Sequence, residues 1–266
     1  MKKYLLWATL WMVTAAGYAQ QPTGTVIYQR VSQLHFQINK GELASRLPQT
    51  ITDKYELLFG NNQSLWKHVD EEQAVDDNEY GGGIQIGFRS VGQNDIVFCD
   101  FGLGTQVAQK EIFDKKYIVT DSIGKLKWKP TGETQTILNH ICQKAISQKI
   151  VSRMDMNIDN GKVDKKEVSD TLDITAWFTM DIPIAAGPEF PGQLPGLILK
   201  LEMKNGSIVY TAIKISGNAV LSDIKAPVKG KKVTPEGFKA AQHRLMDEMQ
   251  KNNRYEGPGR KVIIRG

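Results

Sequence analysis

The chain has few residues of the types that bind metals, and their spacing does not favour a metal site. Its four histidines are far apart, and no two have the short separation of a zinc site. His140 and Cys142 lie two positions apart on a predicted strand and would face the same side of a sheet. A metal bound there would need further ligands from elsewhere in the chain. We therefore predict no metal site and no cofactor.

Two motifs that could support calcium binding or hydrolysis are incomplete. Asp155, Asn157, Asp159 and Gly161 are similar to a calcium loop, but the EF-hand needs its glycine one position earlier. No serine stands in a Gly-x-Ser-x-Gly elbow, and the chain has no His-Glu-x-x-His sequence. A triad assembled from distant positions stays open. The sequence therefore assigns no catalytic residue.

The two cysteines are candidates for a disulfide. Cys99 and Cys142 both lie in apolar segments that we predict to be strands. In a protein outside the cytoplasm, an even number of cysteines favours a bridge. The alternative is two buried thiols that never meet, and both interpretations stay open.

The most distinctive segment covers residues 175–201 and contains four prolines, at positions 183, 188, 191 and 195. Proline fixes φ and lacks an N–H donor, so we predict a stiff connection between two strands. Pro195 and Gly196 fit the centre of a type II turn, in which the glycine would supply a positive φ. Leu194 and Leu197 flank this turn and can dock in the core.

The same segment supplies the candidate binding residues. A curved sheet with a helix across it would leave an apolar groove, which could accept a lipid-like ligand or a peptide. For each candidate the alternative role is packing in the core. The candidates are Trp177, Phe178, Phe190, Leu194, Pro195, Gly196 and Leu197.

Alternating apolar and polar residues predict that most of the chain is β-strand. Asn205-Gly206 separates the strand-like runs 197–203 and 208–215 and predicts a hairpin, and Asn160-Gly161 predicts a second one. Residues 34–38, 96–101, 106–113 and 116–121 are further predicted strands.

One helix is predicted over residues 235–250. Thr234 suits its N-cap and Pro235 its first position, and Phe238, Ala241, Leu245 and Met249 form an apolar stripe that would pack on the sheet. Residues 252–266 would form a loose tail. We therefore predict a mainly β (α+β) fold, a large curved antiparallel sheet with a C-terminal helix packed on it.

The N-terminus has the layout of a secretory signal peptide. Lys2 and Lys3 precede an apolar run over residues 4–13, and Gly17 and Ala19 fit a cleavage site. The run is shorter than the roughly 20 residues that span a bilayer. We predict that residues 1–19 are removed and that residues 20–266 form one β-rich domain in the periplasm or outside the cell.

Charge gives little indication of a macromolecular partner. The formal net charge of +5 is too small to indicate nucleic-acid binding, and we expect no integral membrane segment. Residues 69–80 are acidic and are followed by three glycines, which favours a solvated loop over a weak cation site. Oligomeric state cannot be deduced from these features.

Several blocks of the mature chain resemble the GLPGLI family of exported Bacteroidota proteins. They are the strand at residues 24–28, the run 55–59, residues 128–145, the strand around Trp177, Gly187-Pro188 and the segment Leu194-Pro195-Gly196-Leu197-Ile198. Gln193 replaces the first glycine of the family motif and Gly192 precedes it. If that glycine has a positive φ, either Gln193 is strained or Gly192 takes its place. The resemblance implies export, a β-rich fold and no established function, and the fold is similar in style to lipoprotein carriers.

Three functional hypotheses follow. The first is a binding module for an apolar ligand or a peptide. The second is a partner of an outer-membrane receptor or transporter, with the proline-rich loop as the contact. The third is an enzyme, a hydrolase whose catalytic residues the sequence does not reveal.

Overall fold

The computed structural model of the chain describes residues 22–33, 49–69, 92–112, 114–159 and 162–255. Within these residues the fold consists of one sheet, a 3-10 helix (Leu221–Asp223) and one α-helix, α1 (Pro235–Tyr255). The strands are β1 (Gly24–Gln33), β2 (Thr50–Gly60), β3 (Gln63–His68), β4 (Ile96–Asp100), β5 (Thr105–Ile112), β6 (Lys115–Ser122), β7 (Lys129–Ile137), β8 (His140–Asp159), β9 (Lys162–Thr179), β10 (Leu197–Met203), β11 (Ile208–Ser216) and β12 (Lys231–Val233).

The twelve described strands form a single sheet in the order β12-β6-β5-β4-β3-β2-β1-β11-β10-β9-β8-β7. Neighbours are antiparallel except β12 and β6, which are parallel. Side chains from β5 and β8, which have seven strands between them in this order, line one cavity, so the sheet must curve. The mainly β class with a C-terminal helix is confirmed.

Both predicted hairpins form. Between β10 and β11 the turn centres on Lys204 and Asn205, with φ of 51° and 53°, and the Gly206 N–H donates to the Met203 carbonyl at 3.1 Å. This is one residue earlier than the predicted Asn-Gly centre, because Lys204 itself takes the left-handed conformation. β8 and β9 pair as far as Asp159 and Lys162, and residues 160 and 161 lie outside the described residues.

Strands β8 and β9 extend beyond the strands that flank them in the sheet. β8 pairs with β7 only over residues 140–146, and β9 pairs with β10 only over residues 174–179. Beyond these points, residues 148–159 and 162–173 pair with each other and with no third described strand. We call this two-stranded extension the β8–β9 arm.

The main core lies on the concave face, between the sheet and residues 180–196, which join β9 to β10. We call these residues the proline segment. Its Ile184, Ala186 and Phe190 pack with sheet residues such as Tyr28 and Leu57. Each fully buried large apolar side chain contributes about 1.5–3 kcal/mol, so the segment is held firmly on the sheet.

The proline segment packs in the main core, and its glycines differ from the prediction. Gly196 does not have a positive φ. The expected type II turn is therefore wrong. A glycine is required at this position because a Cβ would lie 2.0 Å from the Thr179 carbonyl oxygen. Gly192 has the positive φ, 77°, and the side-chain oxygen of Gln193 accepts hydrogen bonds from the Leu126 and Trp128 N–H groups at 2.9 and 3.1 Å.

The helix α1 begins at the predicted residue and packs on the sheet, as predicted. The Gly237 N–H donates to the Thr234 hydroxyl at 3.1 Å, which confirms the N-cap. Leu245 is buried with Ile112 and Tyr117 on β5 and β6, near the sheet edge. The helix therefore packs at the β5–β6 end of the sheet and not over the main core. It also continues to Tyr255, into the segment predicted as a loose tail.

Cys99 and Cys142 are both free and buried. Cys99 lies on β4 and Cys142 on β8, with six strands between them in the sheet. The candidate disulfide is therefore not formed, and the alternative of two separate buried thiols is the correct one for this structure. Burial raises the pKa of Cys99 to about 12 and that of Cys142 to about 11, so both are neutral thiols near pH 7.

Some predictions concern residues outside the described ranges. They are the signal peptide over residues 1–19, the strand over residues 34–38, nearly all of the acidic stretch 69–80 and the last part of the tail. The structure does not test these predictions.

Candidate functional site

A cavity of about 430 Å³ opens on the concave face beside the proline segment. Its volume lies in the range of sites that bind small ligands, roughly 300–1,000 Å³. Its lining comes from seven strands, from the turn that precedes β4 and from the proline segment. The lining residues are Arg30, Tyr55, Leu57, Ser64, Trp66, Gly92, Asp95, Val97, Cys99, Gln106, Ala108, Lys110, Lys149, Gly187, Glu189, Pro191 and Tyr210.

Strand register places an apolar row across the floor of this cavity. Leu57 lies opposite Trp66, Trp66 opposite Val97, and Val97 opposite Ala108. Because side chains opposite each other in antiparallel strands share a face, these four form a continuous strip on the concave side. The small side chain of Ala108 leaves room above the strip.

Aromatic rings stand beside this strip. The ring of Tyr55 stacks on Trp66 with centroids 5.0 Å apart and planes at 12°. Tyr210 meets the same indole edge-on at 5.9 Å, and Tyr28 lies 5.3 Å from it. Such packing fixes ring orientation, so the aromatic surface is preorganised before any ligand enters.

A buried ion pair lies next to the rings. The Arg30 Nε and Nη2 groups donate to one Asp53 carboxylate oxygen at 3.1 and 2.5 Å, and both side chains are less than 10% exposed. The other Asp53 oxygen accepts a hydrogen bond from Gln93 at 3.1 Å. The guanidinium also lies over the Tyr55 ring, 5.0 Å from its centroid. The charge of Arg30 is therefore already compensated within the fold.

The hydroxyl of Tyr55 is the unusual group of the cavity. Tyr55 is only 2% exposed, yet its hydroxyl has no hydrogen-bond partner among the residues that the structure describes. Burial raises the pKa of Tyr55 above its usual range, and the nearby Arg30 opposes this shift. The group is therefore a neutral hydroxyl that can donate one hydrogen bond. Leaving such a group unmatched costs about 1–3 kcal/mol.

Asp95 places a carboxylate on the cavity wall. Burial raises its pKa to about 6, and the Lys110 ammonium, 3.9 Å from the carboxylate, only partly opposes this. The same ammonium lies over the Phe238 ring of α1 at 5.3 Å. The charge of Asp95 is therefore less well compensated than that of Arg30.

Glu189 supplies the second carboxylate, from the proline segment. It is an exposed residue with a φ of 58°, held between Pro188 and Phe190, which are both buried. A left-handed conformation costs a non-glycine residue roughly 1–2 kcal/mol. The Tyr210 hydroxyl donates to its carboxylate at 2.6 Å, which fixes the side chain beside the cavity.

The residues that sequence analysis selected for binding lie elsewhere, and none of them lines the cavity. Pro195 is exposed, and Gly196 is buried against the Thr179 backbone. The other five are buried in the main core: Trp177, Phe178, Phe190, Leu194 and Leu197. This burial matches the packing role that was their alternative.

The cavity residues were missed because strand register brings them together from distant positions. One sequence signal was available. Tyr55 and Leu57 alternate within the run 55–59, which the resemblance had marked, and Glu189 is the one charged residue between Pro188 and Pro191.

The described residues contain neither a cluster of metal ligands nor a membrane-spanning helix. No group of three or more His, Cys, Asp or Glu side chains there could hold a metal ion. No helix among them is long and apolar enough to cross a membrane.

Comparison with known proteins indicates a family of unknown function and a distant structural likeness. Residues 128–200 match the model of a family described as "Protein of unknown function (Porph_ging)". This stretch includes β7, β8, β9 and the proline segment. The match supports the expected resemblance to a family of unknown function over this part of the chain, and the GLPGLI name is not confirmed. No curated protein matches the chain.

Two solved structures of PNGF-II are similar to this chain. The structure in space group C2 has a TM-score of 0.51 and 17% identity, and the match covers 84% of this chain and 33% of that chain. The structure in P21 has a TM-score of 0.50 and 16% identity, and covers 84% and 34%. This chain therefore spans about a third of the length of PNGF-II. At this identity the likeness shows the fold alone.

Proposed function

We propose that this protein is a non-enzymatic binding module and that a short peptide segment occupies the cavity on its concave face. The observation that carries the proposal is the cavity itself, with a rigid aromatic floor and charged walls. It also contains a buried Tyr55 hydroxyl that no described residue satisfies.

The polar lining favours a peptide over an apolar ligand. An alkyl chain in the cavity would remove water from Asp95 and Lys110 without offering them hydrogen bonds, and it would leave the Tyr55 hydroxyl without a partner. Burying polar groups without partners is costly, on the order of 1–3 kcal/mol each. A peptide offers carbonyl and amide groups to the walls and small side chains to the apolar strip. We therefore favour the peptide among the two ligand classes that the sequence left open.

The surroundings of the cavity suit recognition. The Arg30–Asp53 pair and the hydrogen bond from Tyr210 to Glu189 hold the walls in place without a ligand. A preorganised site loses less conformational entropy on binding, which favours affinity.

The test is calorimetric titration of the full purified chain with the probe trialanine amide and, separately, with laurate. We expect the peptide to bind and laurate not to. Gln106→Trp would fill the cavity, because Gln106 lines it. We expect this variant to bind the peptide at least tenfold more weakly. Gln135→Trp, on the edge strand β7 and outside the lining, is the matched control and should bind normally.

Two results would contradict the proposal. One is laurate binding without peptide binding, which would restore the apolar ligand. The other is full peptide affinity in Gln106→Trp, which would place any binding outside the cavity.

We also propose that the protein acts in the periplasm or outside the cell. The charged, apolar and small-residue order of residues 1–19 supports this location. Cell fractionation, with mass spectrometry of the mature N-terminus, tests it. A cytoplasmic protein that retains residues 1–19 would contradict it.

A further inference from the structure

The charges around the cavity are not evenly compensated. Arg30 is neutralised by Asp53 through two hydrogen bonds from its guanidinium. Lys149 is exposed, so solvent screens its ammonium. Asp95 has Lys110 only at 3.9 Å, beyond hydrogen-bond length. The group with most to gain from an incoming partner is therefore a carboxylate.

Two carboxylates and one hydroxyl share this environment. After burial and the opposing effect of Arg30, the charges of Asp53, Glu189 and Asp95 further raise the pKa of Tyr55. Glu189 likewise contributes to the raised pKa of Asp95, after the effects of burial, Lys110 and the backbone N–H of Glu111. Asp95, Glu189 and Tyr55 all line the same cavity.

The three groups match one end of a peptide. An ammonium group donates three hydrogen bonds and carries a positive charge, which suits carboxylates and aromatic faces. The first carbonyl of a peptide lies next to its ammonium and accepts a hydrogen bond. The buried hydroxyl of Tyr55 supplies a donor for such an acceptor.

We propose that the cavity recognises the free amino terminus of a peptide. Asp95 and Glu189 bind its ammonium group, and the Tyr55 hydroxyl donates to its first carbonyl. This inference rests on the proposed function, because it names the end of the peptide that enters the same cavity.

The experiment compares two probes that differ only at the amino end, namely trialanine amide and N-acetyl-trialanine amide. Both lack a free carboxylate, so neither probe offers an anion to Lys110 or Lys149, and these lysines would disfavour the free ammonium rather than favour it. We expect calorimetry of the full chain to give at least tenfold weaker binding for the acetylated peptide. Equal affinity for the two peptides would overturn the inference while leaving the proposed function intact.

Substitutions of the two carboxylates test whether they bind the ammonium group. Asp95→Asn should weaken binding of the free-amine peptide about tenfold and leave the acetylated peptide unchanged. Glu189→Gln, at an exposed position where misfolding is a smaller risk, should act in the same direction. Glu133→Gln removes an exposed carboxylate on β7 and is the matched control, with no expected change.

Tyr55→Phe should weaken both peptides, because both present a carbonyl. Discrimination that persists in Asp95→Asn and Glu189→Gln alike would overturn the assignment of the carboxylates. Absence of binding by either peptide would contradict the proposed function, and with it this inference.

Discussion

The proline segment and the cavity lie side by side on the concave face, but their interactions differ. The proline segment buries apolar side chains, and the backbone N–H groups of Leu197 and Ile198 on β10 donate to its carbonyls at 3.1 and 2.9 Å. The cavity keeps a buried hydroxyl unmatched and a carboxylate with a raised pKa. The proline segment, whose sequence is the most distinctive in the chain, therefore has a packing role. The unsatisfied polar groups, which are typical of functional sites, belong to its neighbour.

The largest effect should come from the packed side of this comparison. Gly196→Ala would place a Cβ 2.0 Å from the Thr179 carbonyl oxygen, which is backbone and cannot move aside freely. We expect a loss of about 4 kcal/mol or more in the free energy of unfolding, measured by urea denaturation.

Gly124→Ala is the control for this prediction. An added Cβ at Gly124 meets nothing within 4 Å, so its effect should stay within about 0.5 kcal/mol. Wild-type stability in Gly196→Ala would show that the proline segment is not held as closely as described.

The next effect concerns the cavity and depends on pH. The pKa of Asp95 is raised from 3.8 to about 6 in the folded protein, so the folded state binds this proton more tightly than the unfolded state. Stability from this group is present at low pH and is lost as pH rises from about 4 to about 6. Asp95→Asn should therefore raise the free energy of unfolding at pH 7 by about 1–3 kcal/mol, and by less near pH 4.

Urea denaturation at several pH values measures this difference. The charged and titratable groups around Asp95 are Lys110, Glu111, Glu189, Tyr55 and Arg30. Asp223→Asn, at an exposed carboxylate in the 3-10 helix, should leave the pH profile unchanged. A less stable Asp95→Asn protein at pH 7 would mean that Lys110 compensates Asp95 fully.

The smallest predicted effect is a difference in the free energy of unfolding between variants of two buried tyrosines. The Tyr28 hydroxyl donates to the Ile198 carbonyl at 2.6 Å, whereas the Tyr55 hydroxyl has no partner among the described residues. Tyr28→Phe should lower the free energy of unfolding by about 1–2 kcal/mol, because it removes a buried hydrogen bond. Tyr55→Phe should leave it unchanged or raise it by up to about 1 kcal/mol. Equal losses in the two variants would remove the distinction between the core and the cavity.

Local features were predictable because short-range interactions determine them. The hairpin of β10 and β11 follows from an Asn-Gly pair between alternating runs, and α1 follows from Thr234, Pro235 and an apolar stripe. At Gln193, which replaces a glycine of the family motif, the sequence offered two alternatives. The second is correct, because Gly192 has the positive φ and Gln193 does not.

The turn at Gly196 and the cavity were not predictable in this way. A glycine needed for positive φ and a glycine needed for close backbone approach look the same in a sequence, and only the contact with Thr179 distinguishes them. The cavity depends on the register of strands that are distant in sequence. Asp95 and Tyr55 line the same cavity because β3 alone separates β2 from β4 in the sheet.

The β8–β9 arm has a consequence for how the molecule opens. Its residues 148–159 and 162–173 hydrogen-bond only to each other among the described strands, whereas β1 is paired on both sides. Breaking the arm therefore requires no separation of β9 from β10, although Leu172 at the base of the arm packs against the main core. Amide protons along the arm should exchange with deuterated solvent through local fluctuations of low free energy, while those of β1 should exchange only when the whole sheet unfolds.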